Sequence, residues 1–594
     1  MNKKFYVTTA IDYTNDVVHI GHSYQKILAD VLARYHRLIG HQTHYLTGTD
    51  EHGQKVEKSA QKAKIEPKKF VDKIAAADKA EWDKLNVSYD RFIRTTDQDH
   101  VSFAQEIYLK SKKAGDIYLG EYDGLYCESC ETYLTESDLK DNKCPFHPQK
   151  SLLKIKEKNY FFRLSKYQKF LENLLEKNPK FVVPESKRKE TLSFIKSGLR
   201  DFAVSRPNIK WGIPVPDDPG QTIYVWFDAL INYLTYGTQK NCWPADVHVL
   251  GKDNLRFHAI YWPAMLKSAG YELPKTILIH DFISLNGQKI SKSLGNIIKP
   301  SELVTKLGPD PVRYYFLRHG PLRNDIDFTL EKINEIYNAD LANGLGNLVA
   351  RVAKLCENSD LQFNNQQAQK IYPQVKESFN EFRPDKALEF LWQEKITGAD
   401  KIIDREKAWQ LKNKKLEIVL QKLVNVIRQI AFNLKPFLPE TAEKIEKQFA
   451  GPKIKAEKPL FPRLEKPASD QLNQVTHDQV VIGKIVDLFP HPKADKLKVA
   501  KVNINQPKEL TIVCGGPNLK KGQIVPIALP GSKINTPNIK NVKVKKTNIR
   551  GVKSEGIICS ELEVGRGKEY DAIWELPEKY DKSLGQPLSI INAH

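Results

Sequence analysis

Along the chain, apolar residues fall into a short run at residues 5 to 10, then a polar turn with two histidines, then positions three and four apart over 23 to 38. A second short run at 44 to 46 leads into the polar turn Gly48-Thr49-Asp50-Glu51-His52-Gly53. Strand, turn, helix, strand is how a doubly wound parallel sheet begins, and ligands of such sheets sit beyond the carboxyl ends of the strands, where both polar turns fall. Residues 115 to 217 break the pattern with cysteines and charged, aromatic-rich stretches, which predicts an insertion, and short apolar runs at 247 to 250 and 276 to 279 predict that the sheet then resumes. From 330 to 450 apolar residues recur at helical spacing, notably over 341 to 351 and 416 to 434, and predict a helix bundle. Residues 451 to 476 turn to Pro, Lys and Glu without periodicity and predict a linker. Period-two alternation at 480 to 486, 499 to 504, 510 to 513 and 525 to 529 then predicts a small β-barrel over 477 to 594. The expected fold class is multidomain α/β: a Rossmann-type sheet from 1 to 114 and 218 to 285, interrupted at 115 to 217, followed by a loop and connecting segment from 286 to 329, the bundle, the linker and the barrel.

A chain of 594 residues is too long for one core, so several domains are expected on size alone. Charge adds a partner. Lys+Arg at 92 against Asp+Glu at 72 leaves +20, which suits a polyanion. No stretch approaches the length needed to span a bilayer, and a cytosolic protein without a membrane partner is expected. Seven cysteines, three of them between Cys127 and Cys144, predict a reduced chain with one metal knot rather than a disulfide scaffold.

That knot is Cys127-Glu128-Ser129-Cys130 and Cys144-Pro145-Phe146-His147. Two ligand pairs, each on a tight turn, complete a tetrahedron of three thiolates and one imidazole, for which Zn²⁺ is the expected ion. Four protein ligands leave no open position, so the zinc is expected to be structural; the competing reading is a pair of redox-active or coincident thiols. A second constellation is split across the chain. His19-Ile20-Gly21-His22 opens the first helix, and Lys289-Ile290-Ser291-Lys292-Ser293 lies in a loop between Gly287 and Gly295. Imidazoles at a helix N-terminus and ammonium groups on a glycine-hinged loop suit a grip on the triphosphate of ATP during attack on its α-phosphorus, a reaction that needs positioning and charge neutralisation more than a base. Mg²⁺ is expected to accompany ATP, although no dedicated carboxylate cage can be read.

Paired motifs of this type resemble the class I aminoacyl-tRNA synthetases. Ala10-Ile11-Asp12-Tyr13 before the histidines, the cysteine knuckle, and Gly251-Lys252-Asp253 through Phe257-His258-Ala259-Ile260-Tyr261-Trp262 are similar to the methionyl branch of that family, over residues 3 to 434. The resemblance implies formation of methionyl-adenylate from L-methionine and ATP, followed by transfer to the 3′-terminal ribose of the methionine tRNAs, initiator and elongator. It implies that Gly21, Lys252, Asp253 and Ser291 join His19, His22, Lys289 and Lys292 around ATP, and that Asp50 holds the methionine ammonium. Ala10, Ile11, Tyr13, Trp226, Ala229, Leu230, Tyr233, Phe257, His258 and Tyr261 would form the side-chain pocket, whose aromatic edges suit a thioether. Asp12 departs from the pattern, since family members usually carry proline before the tyrosine, where it would stiffen the turn.

Further along, the resemblance makes Asn347, Arg351 and Trp409 anticodon readers. Asn347 and Arg351 are four apart and share a helix face, while Trp409 would stack on an unstacked base. In the barrel, Lys493, Lys496, Lys498 and Lys501, then Lys540, Lys543, Lys545, Lys546, Arg550 and Lys553, predict a face that tracks phosphates. Residues 489 to 497 and 550 to 556 resemble the oligonucleotide-binding (OB) tRNA domain appended to methionyl synthetases. Residues 512 to 518 and 528 to 531 look closer to the homologous domain of the phenylalanyl synthetase β subunit. The methionyl version usually dimerises its enzyme and the other need not; the resemblance to the first implies a homodimer through this domain. Two rival readings share parts of this evidence: another class I synthetase with a different pocket, and a tRNA-binding protein without catalysis.

Overall fold

The computed structural model describes residues 3–127, 132–134, 139–145, 150–207, 209–290, 296–364, 369–464, 480–536, 542–567 and 569–591. It consists of two compact units, Met1–Arg463 and Leu464–His594.

The first unit is organised by a parallel sheet. Its strands are β1 (Lys4–Thr9), β2 (Asp12–Tyr13), β3 (Gln42–Asp50), β4 (Arg91–Arg94), β5 (Val182–Val183), β6 (Val247–Gly251) and β7 (Ile277–His280). Strand β1 pairs with β3 on one side and β6 on the other, β4 lies beyond β3, β7 and β5 lie beyond β6, and β2 continues the line of β1 along β3. Helices cover both faces of such a sheet, and β1 and β6 are accordingly almost wholly buried. The chain winds one way from β1 through helix α1 (Ile20–Leu38) to β3, and returns on the other side at β6, so the switch point lies between β1 and β6. Gly40, at φ 84°, turns the chain out of α1 in the left-handed conformation that closes helix ends, its N–H bonded to the Arg37 carbonyl.

The span predicted as an insertion is less separate than its composition suggested. An antiparallel sheet does form there, from Ile117–Cys127, Thr132–Leu134, Leu153–Phe162 and Phe202–Ala203. However, β5 belongs to the parallel sheet, with Val182 and Val183 opposite Ile277 and Leu278, and a second small sheet joins Ser205–Pro207 and Pro214–Val215 to Asp218–Ile223, across the expected limit at 217. Two-residue strands are too short to show periodicity.

The connecting segment from 286 to 329 carries two helices, Pro300–Leu307 and α3 (Pro309–His319). Arg313 on α3 is fully buried and pairs with Asp30 of α1 at 2.7 Å, while its other donors reach the carbonyls of Phe437, Pro436 and Leu85. A guanidinium fork can satisfy that many acceptors at once, and it ties the first helix to the end of the bundle. The predicted bundle follows from Leu330–Ile336 to Pro439–Gln448, including α5 (Thr397–Arg405) and the long helix α6 (Asn413–Leu434). One expectation changes. Residues 341 to 351 do not form one α-helix: Tyr337–Gly346 winds as a π-helix, with α4 (Asn347–Glu357) continuing from it, and Leu391–Ile396 is wound the same way. The linker also begins later than predicted, because Ile454 and Phe461 are buried and Phe363 N–H bonds the Pro452 carbonyl.

In the second unit, Val480–His491, Ala494–Asn503, Leu510–Cys514, Ile524–Ala528 and Ile557–Ile558 form an antiparallel sheet. Its far ends meet where Glu555 N–H bonds the Thr511 carbonyl at 2.8 Å. Among the described residues, no helix is long and apolar enough to cross a membrane.

Candidate active site

His19 and His22 build the start of α1 out of their own rings. The His19 backbone N–H donates to His22 Nδ1 at 3.2 Å, and Gly21 N–H donates to His19 Nδ1 at 3.1 Å, a reciprocal cap that uses imidazoles where acids or hydroxyls usually serve. Both Nδ1 atoms therefore accept, and each neutral ring carries its proton on Nε2. The centroids lie 4.2 Å apart. Burial pushes His19 down to about 3 and His22 down to about 4, helped by the neighbouring imidazole in the first case and by Lys26 in the second. Ile20 N–H is also taken, by the Ile298 carbonyl, so the first turn offers Nε2 hydrogen-bond donors in place of free amides. Gly21 is required by packing: a Cβ there would stand 2.8 Å from His19 Cε1.

The second motif arrives beside the first. Asn286 and Gly287, both at positive φ, make the two-residue turn of a hairpin that sets Lys289 opposite Ser284. Gly287 is thus a hairpin turn, not a loop hinge. Ile290 is buried, its Cδ1 only 3.7 Å from where a Gly21 side chain would begin, and Asn296 Nδ2 bonds the Lys289 carbonyl at 3.0 Å, closing the base of the loop. Ser291 and Lys292 lie outside the described residues. Lys289 acts electrostatically on Asp253, pulling its carboxyl down against the larger upward push of desolvation. Lys252 is already engaged, with Nζ 2.6 Å from Asp325 and over the Phe282 ring.

Asp50 closes β3 with its side chain buried, and its carbonyl accepts Thr14 N–H and Oγ at 3.0 and 3.1 Å. Tyr13 is its partner across the parallel ladder. Trp226 stacks on Phe257 at 3.7 Å and 6°, and Tyr261 meets Phe257 edge-on. Phe257, His258 and Tyr261 share a π-helical turn, Phe257–Tyr261, a winding that single-turn insertions often adopt at functional sites. His258 Nδ1 lies 2.9 Å from the Asn254 carbonyl and must donate, so Nε2 accepts from the Tyr233 hydroxyl at 2.8 Å; burial pushes this imidazole down to about 4 and keeps it neutral. Ala229, Leu230 and Tyr233 are buried, Ile11 packs on the same core, and the Ala10 carbonyl accepts from Lys26.

Two supporting clusters were not read from the sequence. Asp228, on helix α2 (Val225–Leu230), takes His52 Nδ1 on one oxygen and His100 Nε2 on the other, both at 2.7 Å. Burial alone would raise this carboxyl, but the imidazoles hold it below its ordinary value, and the bridge fastens the helix of Trp226 to the turn of Asp50. The signal was an acid inside the apolar run Trp226-Phe227-Asp228-Ala229-Leu230. The other is Asp12 with Lys26, 2.9 Å apart and out of contact with solvent.

Cys127 and Cys144 are fully buried in one small cluster with Leu134; Cys130 and His147 lie outside the described residues. In the bundle, Asn347 is exposed at the start of α4, and Trp409 is 54% exposed just past α5. Arg351 already pairs with Asp400 and Asp404 of α5, so it is less free to meet a base than its spacing implied. In the second unit, Lys493, Lys496, Lys545, Lys546, Arg550 and Lys553 are exposed. His491 Nε2 donates to the Ile549 carbonyl and Arg550 to the Lys493 carbonyl, which draws two basic hairpins together. Lys498 and Lys501 instead bond the Leu519 carbonyl and Thr511 Oγ, and leave the predicted face. Lys540 and the Lys543 side chain lie outside the described residues. Phe489, 47% exposed beside these hairpins, is an aromatic that sequence reading passed over.

A family model described as tRNA synthetases class I (M) matches residues 5–151 and 136–353, and one described as a putative tRNA binding domain matches 480–583. The methionine–tRNA ligase of Caldanaerobacter subterraneus subsp. tengcongensis is 36% identical over 95% of this chain and 97% of its own. That of Clostridium acetobutylicum is 40% identical over 84% and 85%. Among solved structures, Mycobacterium tuberculosis methionyl-tRNA synthetase in complex with methionyl-adenylate is 36% identical with a TM-score of 0.72, covering 78% of this chain and 100% of that one.

Proposed function

The chain belongs to the methionine–tRNA ligases among the class I tRNA synthetases, and on that premise we infer how its own residues divide the work. The reaction has two steps. A methionine carboxylate oxygen attacks the α-phosphorus of ATP and pyrophosphate leaves; the 3′-terminal ribose hydroxyl of tRNA then attacks the adenylate carbonyl and AMP leaves. In the first step His19 and His22 donate from Nε2 to phosphate oxygens, while Lys289 and Lys292 supply the positive charge that neutral imidazoles lack. Gly21 lets the helix start approach the nucleotide, and Ser291, Lys252 and Asp253 border it. Asp50 receives the methionine ammonium, and the thioether rests among Ala10, Ile11, Tyr13, Trp226, Ala229, Leu230, Tyr233, Phe257, His258 and Tyr261. Mg²⁺ enters with ATP as part of the substrate.

The approach of Ile290 to Gly21, with Lys289 acting on Asp253, carries this reading, because two motifs some 270 residues apart in sequence then come together in space. Zinc suits the knuckle of Cys127, Cys130, Cys144 and His147, a reading supported by two thiols buried in one cluster; when bound, it would supply folding energy and no chemistry. Asn347, Arg351 and Trp409 are read as the anticodon contacts and the second unit as an OB barrel that holds the methionine tRNAs, with a homodimer through that unit. Exposure of Trp409 and the paired basic hairpins support the RNA contacts. Pyrophosphate exchange with each of the twenty amino acids tests the assignment: methionine alone should drive it efficiently, and preference for any other amino acid would overturn it.

A further inference from the structure

We propose that the buried Asp12–Lys26 ion pair is a positioning device that sets the methionine end of the site against its phosphate end, an inference that rests on the functional reading above. Lys26 lies four residues beyond His22 on α1 and therefore on the same helix face. Lys26 Nζ is engaged on three sides: it donates to Thr9 Oγ at 3.1 Å and to the Ala10 carbonyl at 2.7 Å, and it is ion-paired with Asp12 Oδ2 at 2.9 Å. All three partners belong to the segment that leaves β1 and carries Ala10, Ile11 and Tyr13. Asp12 and Tyr13 then pair with Thr49 and Asp50, and Thr14 bonds the Asp50 carbonyl. One side chain on the phosphate helix thus holds the strand that frames Asp50, the carboxylate that receives the methionine ammonium.

Stability alone does not account for the pair. Its side chains are 0% and 2% exposed, and two buried charges with their desolvation are commonly no more stable than an apolar pair of the same volume. An apolar pair, however, could not fix a carbonyl and a hydroxyl on a neighbouring strand. Around the pair stand the Trp82 ring, 5.6 Å from Nζ, and Asp78, which accepts Val18 N–H at 3.0 Å, so the segment from β1 into α1 is held at both ends.

The test uses the full chain and the double substitution Asp12→Leu with Lys26→Met, which leaves no charge unpaired. Its thermal midpoint should stay within a few degrees of the parent. In methionine-dependent pyrophosphate exchange, kcat should fall about tenfold to a hundredfold while the KM values for methionine and ATP each stay within about threefold, the split expected when two substrates bind but are misaligned. Asp12→Asn, which keeps shape and an acceptor oxygen, should fall between parent and double variant and serves if the double variant does not fold. A folded double variant, or Asp12→Asn in its place, with the kcat of the parent would overturn this proposal alone. A parent chain that fails to exchange with methionine would overturn the functional reading and this proposal with it.

Discussion

The histidine start of α1 in the first unit and the basic face of the second are both proposed to meet phosphates, yet they are built in opposite ways. In the first, the imidazoles of His19 and His22 are desolvated, neutral and held in one tautomer by their own helix start, and Asp50 is buried against a strand pair. On the basic face, Lys493, Lys496, Lys545, Lys546, Arg550 and Lys553 stand in solvent. A donor fixed in a low-dielectric cleft has a large, short-range effect that salt barely changes, whereas an exposed charge contributes a small share of a sum that salt screens. Chemistry needs the first arrangement. Tracking a long polyanion is served by the second.

The contrast can be broken first at Asp50. Replacing it with Asn leaves the methionine ammonium without its buried counter-charge, and kcat/KM for methionine should drop about a hundredfold to a few thousandfold at any ionic strength, in line with removing one partner of a buried pair. A loss that shrinks steeply in high salt would place Asp50 in solvent-like surroundings.

A smaller effect is expected at His22. His22→Ala should lower kcat for pyrophosphate exchange about a hundredfold. Because the folded values of His19 and His22 lie near 3 and 4, below the ordinary imidazole value, both stay neutral above about pH 5, and kcat/KM for ATP should show no step near pH 6.5 from these rings. The same sign governs stability: unfolding lets the rings take up protons below about 6.5, so the thermal midpoint should fall as pH drops from there toward 4. A midpoint that rises over that interval would contradict their burial.

The smallest single effect should come from the basic face. Lys493→Ala should weaken tRNA binding only a few-fold, reduce the slope of affinity against salt by about one, and leave methionine activation as it was. Phe489→Ala should cost somewhat more at high salt, since base stacking survives screening. Equal losses at all salt concentrations for Lys493→Ala would remove the distinction between the two regions.

How much of this was readable in advance varied with the kind of residue. The strands at β1, β3, β6 and β7, the helix after the histidines, the bundle and the second antiparallel unit all followed from periodicity, because burial on one face leaves a repeating trace. The π-helical windings and the two-residue strand β5 left none. Of the site residues, His19, His22 and Lys289 stood out as motifs, while Asp228, His52 and His100 came together from three separate stretches, and Lys26 looked like one more lysine on a helix.

Local order thus dictated which side chains could carry chemistry and which segments could become strands or helices, since capping, alternation and turn formation depend on near neighbours. Folding in three dimensions settled what state those side chains are in: neutral imidazoles at the start of α1, Arg351 already claimed by Asp400 and Asp404, Lys498 and Lys501 turned toward their own unit, and Lys26 holding the strand beside Asp50. Protonation and pairing depend on burial and on partners far along the chain, and those quantities exist only once the segments have packed.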